Sequence, residues 1–175
     1  VPGIGRANGF PIPAFDRSDG PHRGRMYINW IDRRGNDRDL NAYLTYSDDQ
    51  GKSWSKPRIV HPPSQKGIQY FTWMAVDPFD GSVNIAYLDR HGLDSTQTAV
   101  TLARSTDGGK TFKRYALPES TFLPNDGLFF GDYIGIDAVG GRVVITYPYF
   151  KSPRVLGLDA AVFQFEEGSH NLIKP

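Results

Sequence analysis

Residues 47–54 read SDDQGKSW and residues 105–112 read STDGGKTF. Both octets place an Asp two positions after a Ser, then a Gly, a hydroxyl residue and an aromatic at matching offsets. No other feature constrains the fold as tightly, because self-similarity at a spacing of some tens of residues signals a stacked repeat rather than one irregular core. With the octets in register, FPIPAFD (residues 10–16) falls on FTWMAVD (residues 71–77), and GDYIGID (residues 131–137) falls on both. The closing aspartates Asp16, Asp77 and Asp137 are 61 and then 60 residues apart. Each is followed by a glycine-led apolar run: GRMYINWIDRR from Gly24, GSVNIAYLDRH from Gly81 and GRVVITYPYF from Gly141. A further run, LNAYLTYS, TAVTLARS or LDAAVFQF, comes next, and the first two units add PRIV or KRYAL after the octet.

These runs are short, β-branched and aromatic, with period-2 alternation and Gly, Pro and Asp between them, and helical periodicity is absent. The pattern predicts an all-β chain of β-propeller blades, each of four antiparallel strands, over about residues 10–60, 71–117 and 131–167. A generic β-sandwich does not predict the repeat. The third unit lacks an octet and a recognisable fourth strand, ending in EEGSHNLIKP. Pro11 and Pro13 put two missing N–H groups on one side of the first strand, which predicts an edge strand, as at the central channel of a propeller. Three units cannot close a ring of roughly four to eight blades. The remaining blades are expected from a second copy, as a homodimer with a six-bladed ring, or from another part of a longer chain.

The octets resemble the Asp boxes of bacterial-neuraminidase-type repeats in sialidase-superfamily propellers. That resemblance implies a structural role for Ser47, Asp49, Gly51 and Trp54, and for Ser105, Asp107, Gly109 and Phe112, on the rim away from an active face. The chemistry agrees: the carboxylate can accept N–H bonds of its own turn, the glycine supplies positive φ, and the aromatic can tuck between sheets. A turn-locking carboxylate already accounts for the spacing without a catalytic or calcium-binding role.

Strand alternation puts the loops after each second strand, and the segments approaching each first strand, on the face opposite the octets. That face carries Asp32, Arg33, Arg34, Asn36, Asp37 and Arg38 in the first unit and Asp89, Arg90, His91 and Asp94 in the second. It also carries the approach segments 5–9, 64–71 and 124–133. WIDRRG and YLDRHG repeat an Asp-Arg pair, and guanidinium is the group that clamps a carboxylate in bidentate fashion, as an acidic sugar would require. Repeated ion pairs that hold the loops are the alternative. The candidate ligand-binding residues are Asp32, Arg33, Arg34, Asp89, Arg90 and Tyr70. Trp30, Trp73, Phe129, Phe130, Tyr133, Tyr147 and Tyr149 could stack on sugars or pack between sheets.

A hydrolysing sialidase would, by the resemblance, bring an Arg-Ile-Pro segment with one of three arginines, an Asp acid/base and a Tyr nucleophile activated by a Glu. No Arg-Ile-Pro occurs in the chain, and of its three glutamates only Glu119, expected in a loop approaching the third unit, is placed to serve a site. Asp132 and Tyr133 join it as weak catalytic candidates. Twenty basic and nineteen acidic residues give a net charge of +1, which supplies no global attraction for nucleic acid. The apolar runs are strand-sized, so no membrane span is expected. Without cysteine there is no disulfide, thiolate or Cys zinc chemistry. His22, His61, His91 and His170 show no metal-ligand spacing, so neither metal nor cofactor is expected. The expected function is a sialidase-like propeller that recognises or hydrolyses glycans in an extracellular or periplasmic setting, with a non-catalytic lectin-like propeller or a protein-interaction propeller as alternatives.

Overall fold

The computed structural model describes the chain apart from residues 2, 3, 5, 6, 8, 35–39, 62–66, 94–96, 126 and 175. The first strands are β1 (Ile12–Phe15), β2 (Met26–Asp32), β3 (Asn41–Ser47) and β4 (Arg58–Ile59). They are followed by β5 (Gln69–Val76), β6 (Val83–Asp89), β7 (Thr98–Ser105) and β8 (Lys113–Phe122). The last four are β9 (Gly135–Val139), β10 (Arg142–Ser152), β11 (Val155–Phe165) and β12 (Leu172–Lys174). They form three antiparallel sheets of four strands, in orders β1-β2-β3-β4, β5-β6-β7-β8 and β9-β10-β11-β12. Every hydrogen-bonded neighbour is also the next strand in sequence. The fold is an all-β stack of propeller blades.

Burial explains the strand compositions. In β2 the residues alternate between buried and half-buried, because one face meets the second sheet and the other has no sheet against it among the described residues. Every residue of β6 and β7 is buried, since the middle sheet is covered on both faces. Tyr27, Ala42 and Leu44 of the first sheet pack on Met74, Val83, Ile85 and Tyr87 of the second. Leu88, Val100 and Leu102 pack on Val143, Ile145 and Phe163 of the third. Strand β1 pairs only with β2, the edge position that Pro11 and Pro13 require. The inner strand β5 lies against β1 on one side and β9 on the other.

The expectation that the third unit has no fourth strand is corrected. Leu172 pairs with Phe165 and Lys174 with Gln164, after a turn in which Gly168 has a φ of 65°. A three-residue strand is too short to show alternation, which is why its sequence reads as a tail. The two octets form the same turn, between β3 and β4 and between β7 and β8. Ser47 Oγ donates to Asp49 Oδ1 at 2.7 Å and accepts the Gly51 N–H at 2.9 Å, and Ser105, Asp107 and Gly109 repeat both distances. Asp49 then accepts the Ser53 N–H at 2.8 Å and Asp107 the Thr111 N–H at 2.9 Å. Gly51 and Gly109 have φ of 85° and 82°, and a Cβ on Gly109 would come within 2.7 Å of Leu44 Cδ2. Phe112 packs into the core between the first two sheets. Trp54, expected to tuck between sheets likewise, stays 40% exposed, because its side of the first sheet has no preceding sheet among the described residues. Val162, on the outer face of the third sheet, is 47% exposed for the matching reason.

Polar seams tie sheet to sheet on the octet face. The Asp77 carboxylate accepts the N–H groups of Gly140 and Gly141 at 3.1 and 2.8 Å. Arg104, fully buried, donates to Asp80 and Ser82 in its own sheet and to the Ser169 carbonyl of the next, while Asp80 accepts the Gly168 N–H. Arg104→Met, which leaves the Asp80 carboxylate buried at 3% exposure without its cation, is expected to destabilise the chain by about 3–5 kcal/mol. Urea denaturation checks this, and adding Asp80→Asn should recover part of the loss.

Acid should unfold the protein through its turns. Hydrogen bonds from Ser53, then from Ser47, hold Asp49 down from 3.8 to about 2. Partial burial would raise Asp107 and Asp80, but hydrogen bonds from Thr111 and Ser105 to the first, and from Ser82 and Gly168 to the second, leave both lowered. A carboxylate depressed in the folded state contributes stability that is complete above its unfolded value and lost as pH falls through its folded one. The urea midpoint should therefore fall steeply from about pH 4 toward about pH 2, and Asp107→Asn should flatten that slope.

Candidate functional site

The inner strands meet the opposite face at a cleft, and an irregular strand shapes it. In β5, Tyr70 pairs with Leu88 and Trp73 with Ala86, so Phe71 and Thr72 together oppose Tyr87 in a bulge. Phe71 has a φ of 50°, a left-handed conformation that costs a bulky residue on the order of 1–3 kcal/mol. Packing holds it there: the buried Phe71 ring stacks on Phe130 with centroids 6.0 Å apart, and Thr72 donates to Asn29 Oδ1 at 2.5 Å. A bulge exchanges the faces of the residues beyond it. It thereby brings Trp73 to the mouth of the inner strands.

There Trp73 meets Tyr133 edge-on at 5.9 Å, and Tyr133 stacks on Phe10 at 6.2 Å with planes 21° apart. The three rings come from the three sheets: Phe10 precedes β1, Trp73 lies in β5 and Tyr133 precedes β9. Tyr133 remains 57% exposed and Phe10 47%. Beside them opens a cleft of about 740 Å³ lined by Trp73, Tyr133, Thr146, Tyr147, Leu158 and Asp159 among others. It exists because β9 pairs with β10 only as far as Thr146, so Tyr147 and Pro148 continue without an inner neighbour. Tyr147 stands directly opposite Asp159 in the β10–β11 ladder. Burial, reinforced by the negative charges of Asp159 and Glu119, raises its hydroxyl above the ordinary tyrosine value. That hydroxyl stays protonated at neutral pH, able to donate and accept hydrogen bonds.

The sequence candidates separate into groups. Asp32 takes the Arg33 N–H at 2.8 Å and the Arg34 side chain at 3.0 Å, so its ion pair is with Arg34, two residues on. Slight burial opposes the effect, but these bonds hold the Asp32 carboxyl below its usual value. Arg34 lies over the stacked rings of Trp30 and Tyr43, on the face of the first sheet turned from the second. The Arg33 side chain is exposed. In the second sheet, Asp89 is 2% exposed and pairs with Arg114 of β8 rather than with its neighbour Arg90. Arg90, itself buried, donates to Thr98 Oγ1 at 3.2 Å and faces the Tyr70 ring. Tyr70 has no exposed surface, and burial raises it to about 12. Asp89, Arg90 and Tyr70 are thus all buried, at 2%, 6% and 0% exposure. Glu119, expected in a loop, belongs to β8, because that strand continues past the KRYAL segment to pair Phe122 with Thr98.

Tyr133 lies at the cleft and Asp132 beside it in sequence. Asn36, Asp37, Arg38 and Asp94 lie outside the described residues, as do parts of the approach segments 5–9, 64–71 and 124–133. Asp159 and Thr146 were not legible as site residues, since LDAAVFQF and GRVVITYPYF read only as strands. Arg114 was missed as the partner of Asp89 because the two are 25 residues apart.

No protein-family model matches the sequence, and no curated protein is similar to it. Solved structures are similar in fold. A Hadza microbial sialidase superposes with a TM-score of 0.63 at 14% identity, covering 95% of this chain and 36% of that one. An α-L-arabinanase of Penicillium chrysogenum, in complex with arabinobiose, superposes with a TM-score of 0.65 at 16% identity, covering 91% of this chain and 46% of that one. The chain therefore spans less than half the length of these glycosidase propellers.

Proposed function

We propose that the chain forms part of the glycan-recognising face of a glycosidase-like propeller acting outside the cytoplasm, with the cleft beside Tyr133 as its site. The observation that carries this reading is the aromatic group of Phe10, Trp73 and Tyr133, of which Trp73 and Tyr133 line one open cleft and Phe10 stacks on Tyr133. A large aromatic left half in water at a cleft mouth offers an apolar face for sugar C–H groups, while Tyr147 and Asp159 supply polar groups that orient hydroxyls. The likeness in fold to a sialidase and an arabinanase supports the same class of ligand. Recognition is the reading the geometry supports best. Hydrolysis would need a pair of carboxyl groups flanking the bound sugar at about 5–10 Å, with Asp132, Asp159 and Glu119 as the acids this chain brings to the region. Sialidase-type turnover remains a second reading, resting on the Asp-box resemblance of the octets.

Glycan-array screening followed by calorimetry tests recognition. Tyr133→Ala and Trp73→Ala should each weaken binding about tenfold or more, in line with roughly 1–3 kcal/mol for a stacking aromatic. Unchanged binding in both variants would remove the cleft from the account, and fluorogenic glycosides read turnover in parallel.

The outer faces of the first and third sheets, marked away from the cleft by Trp54 and Val162, are proposed to be covered by further blades from a second copy of the chain. Light scattering should then give about twice the 19.5 kDa of the single chain. A monomer at micromolar concentration would reject that source.

A further inference from the structure

We infer that the cleft selects neutral glycans over carboxylated ones. The inference rests on the glycan reading above and concerns the class of sugar, not the existence of the site. A carboxylated sugar is held by cations, above all by the planar fork of arginine. Among the described residues lining the cleft none is Lys, Arg or His, and Asp159 is one of them. Of the three guanidinium groups that the sequence offered for this task, those of Arg34 and Arg90 are turned to other work, and Arg33 is not part of the lining. Arg34 is held over Trp30 and Tyr43 with its charge on Asp32. Arg90 is buried against Tyr70 and Thr98, and Arg114 is paired with Asp89. Lys151, the ammonium on the same strand, lies 5.9 Å from the centroid of Tyr149 and is not part of the lining.

The local field has the opposite sign to the one an acidic sugar needs. Asp159 stands across the ladder from Tyr147, and both it and Glu119 act on the Tyr147 hydroxyl as negative charges. An anionic ligand entering here would bring like charges together in a partly desolvated cleft, a juxtaposition that discriminates against a partner. A neutral sugar meets no such opposition. It can lay a C–H face on Tyr133 or Trp73 and share its hydroxyls with the protonated Tyr147 hydroxyl and the Asp159 carboxylate, which accepts hydrogen bonds without needing a counter-ion.

The test uses the full chain and a first pair of probes matched in size and linkage. Calorimetry at low salt compares galabiose with α-1,4-digalacturonate, which differ in their two carboxylates, and arabinobiose is set beside sialyllactose as a second pair. The neutral member of each pair should bind at least about tenfold more tightly. Asp159→Asn should raise affinity for digalacturonate several-fold and weaken galabiose, so that the ratio between the two narrows, and Tyr133→Ala should weaken both neutral probes. Acidic probes that bind as tightly as neutral ones, with binding still lost in Tyr133→Ala, would overturn the selectivity and keep the glycan site. Absence of binding to all four probes and to a broad glycan array would overturn the site itself, and this inference with it.

Discussion

The stack depends on the polar seams that join one sheet to the next on the octet face. Apolar burial drives the sheets together, but it is non-directional and would tolerate many offsets between them. The seams do not. Arg25 places its guanidinium between Asp48 and the Gly108 carbonyl, tying the first sheet to the turn of the second octet. Asp77 takes two N–H groups of the turn between β9 and β10, and Arg104 with Asp80 takes the turn between β11 and β12. Each bond that crosses between sheets involves a charge and a backbone group, so it is short-ranged, angular and worth more than a neutral hydrogen bond. The offset between neighbouring sheets follows from these few contacts.

Fixing one face leaves the other free to differ between sheets. At the octet end, repetition is demanded because each turn must fit its neighbour. At the mouth, the units diverge: Ile12, Trp73 and Tyr133 hold equivalent places in the three aligned segments, and only the last two are aromatic. The bulge at Phe71 and the early end of β9 are departures from the repeat, and both border the cleft. Strain at Phe71 is tolerated because an aromatic cluster with Phe122, Phe130 and Phe150 closes around it.

Much of the architecture was legible in the residues themselves. The matched octets, the three aspartates and the paired prolines led to sheet number, strand order and the edge position of β1, because each reports a local backbone requirement repeated in register. The side-chain pairings were not legible in the same way. WIDRRG and YLDRHG look alike, yet Asp32 is bound by Arg34 at the surface and Asp89 by Arg114 in the interior. The difference arises because a sheet covers the second unit on both faces and the first unit on one. The strand β12 escaped notice because a segment of its length carries no periodic signal.

By itself, then, the sequence determined what repeats: the period, the strands within it, and the turns whose glycine, serine and aspartate satisfy one another within a few residues. Those interactions are local, so their spacing along the chain is also their spacing in space. Only the tertiary structure decided which of the repeated charges meet water and which aromatics gather at the mouth. It also decided that the cleft at the mouth is walled by rings and an acid rather than by arginines. Burial and long-range pairing depend on what the neighbouring sheet presents, and that is a property of the stack, not of any one strand.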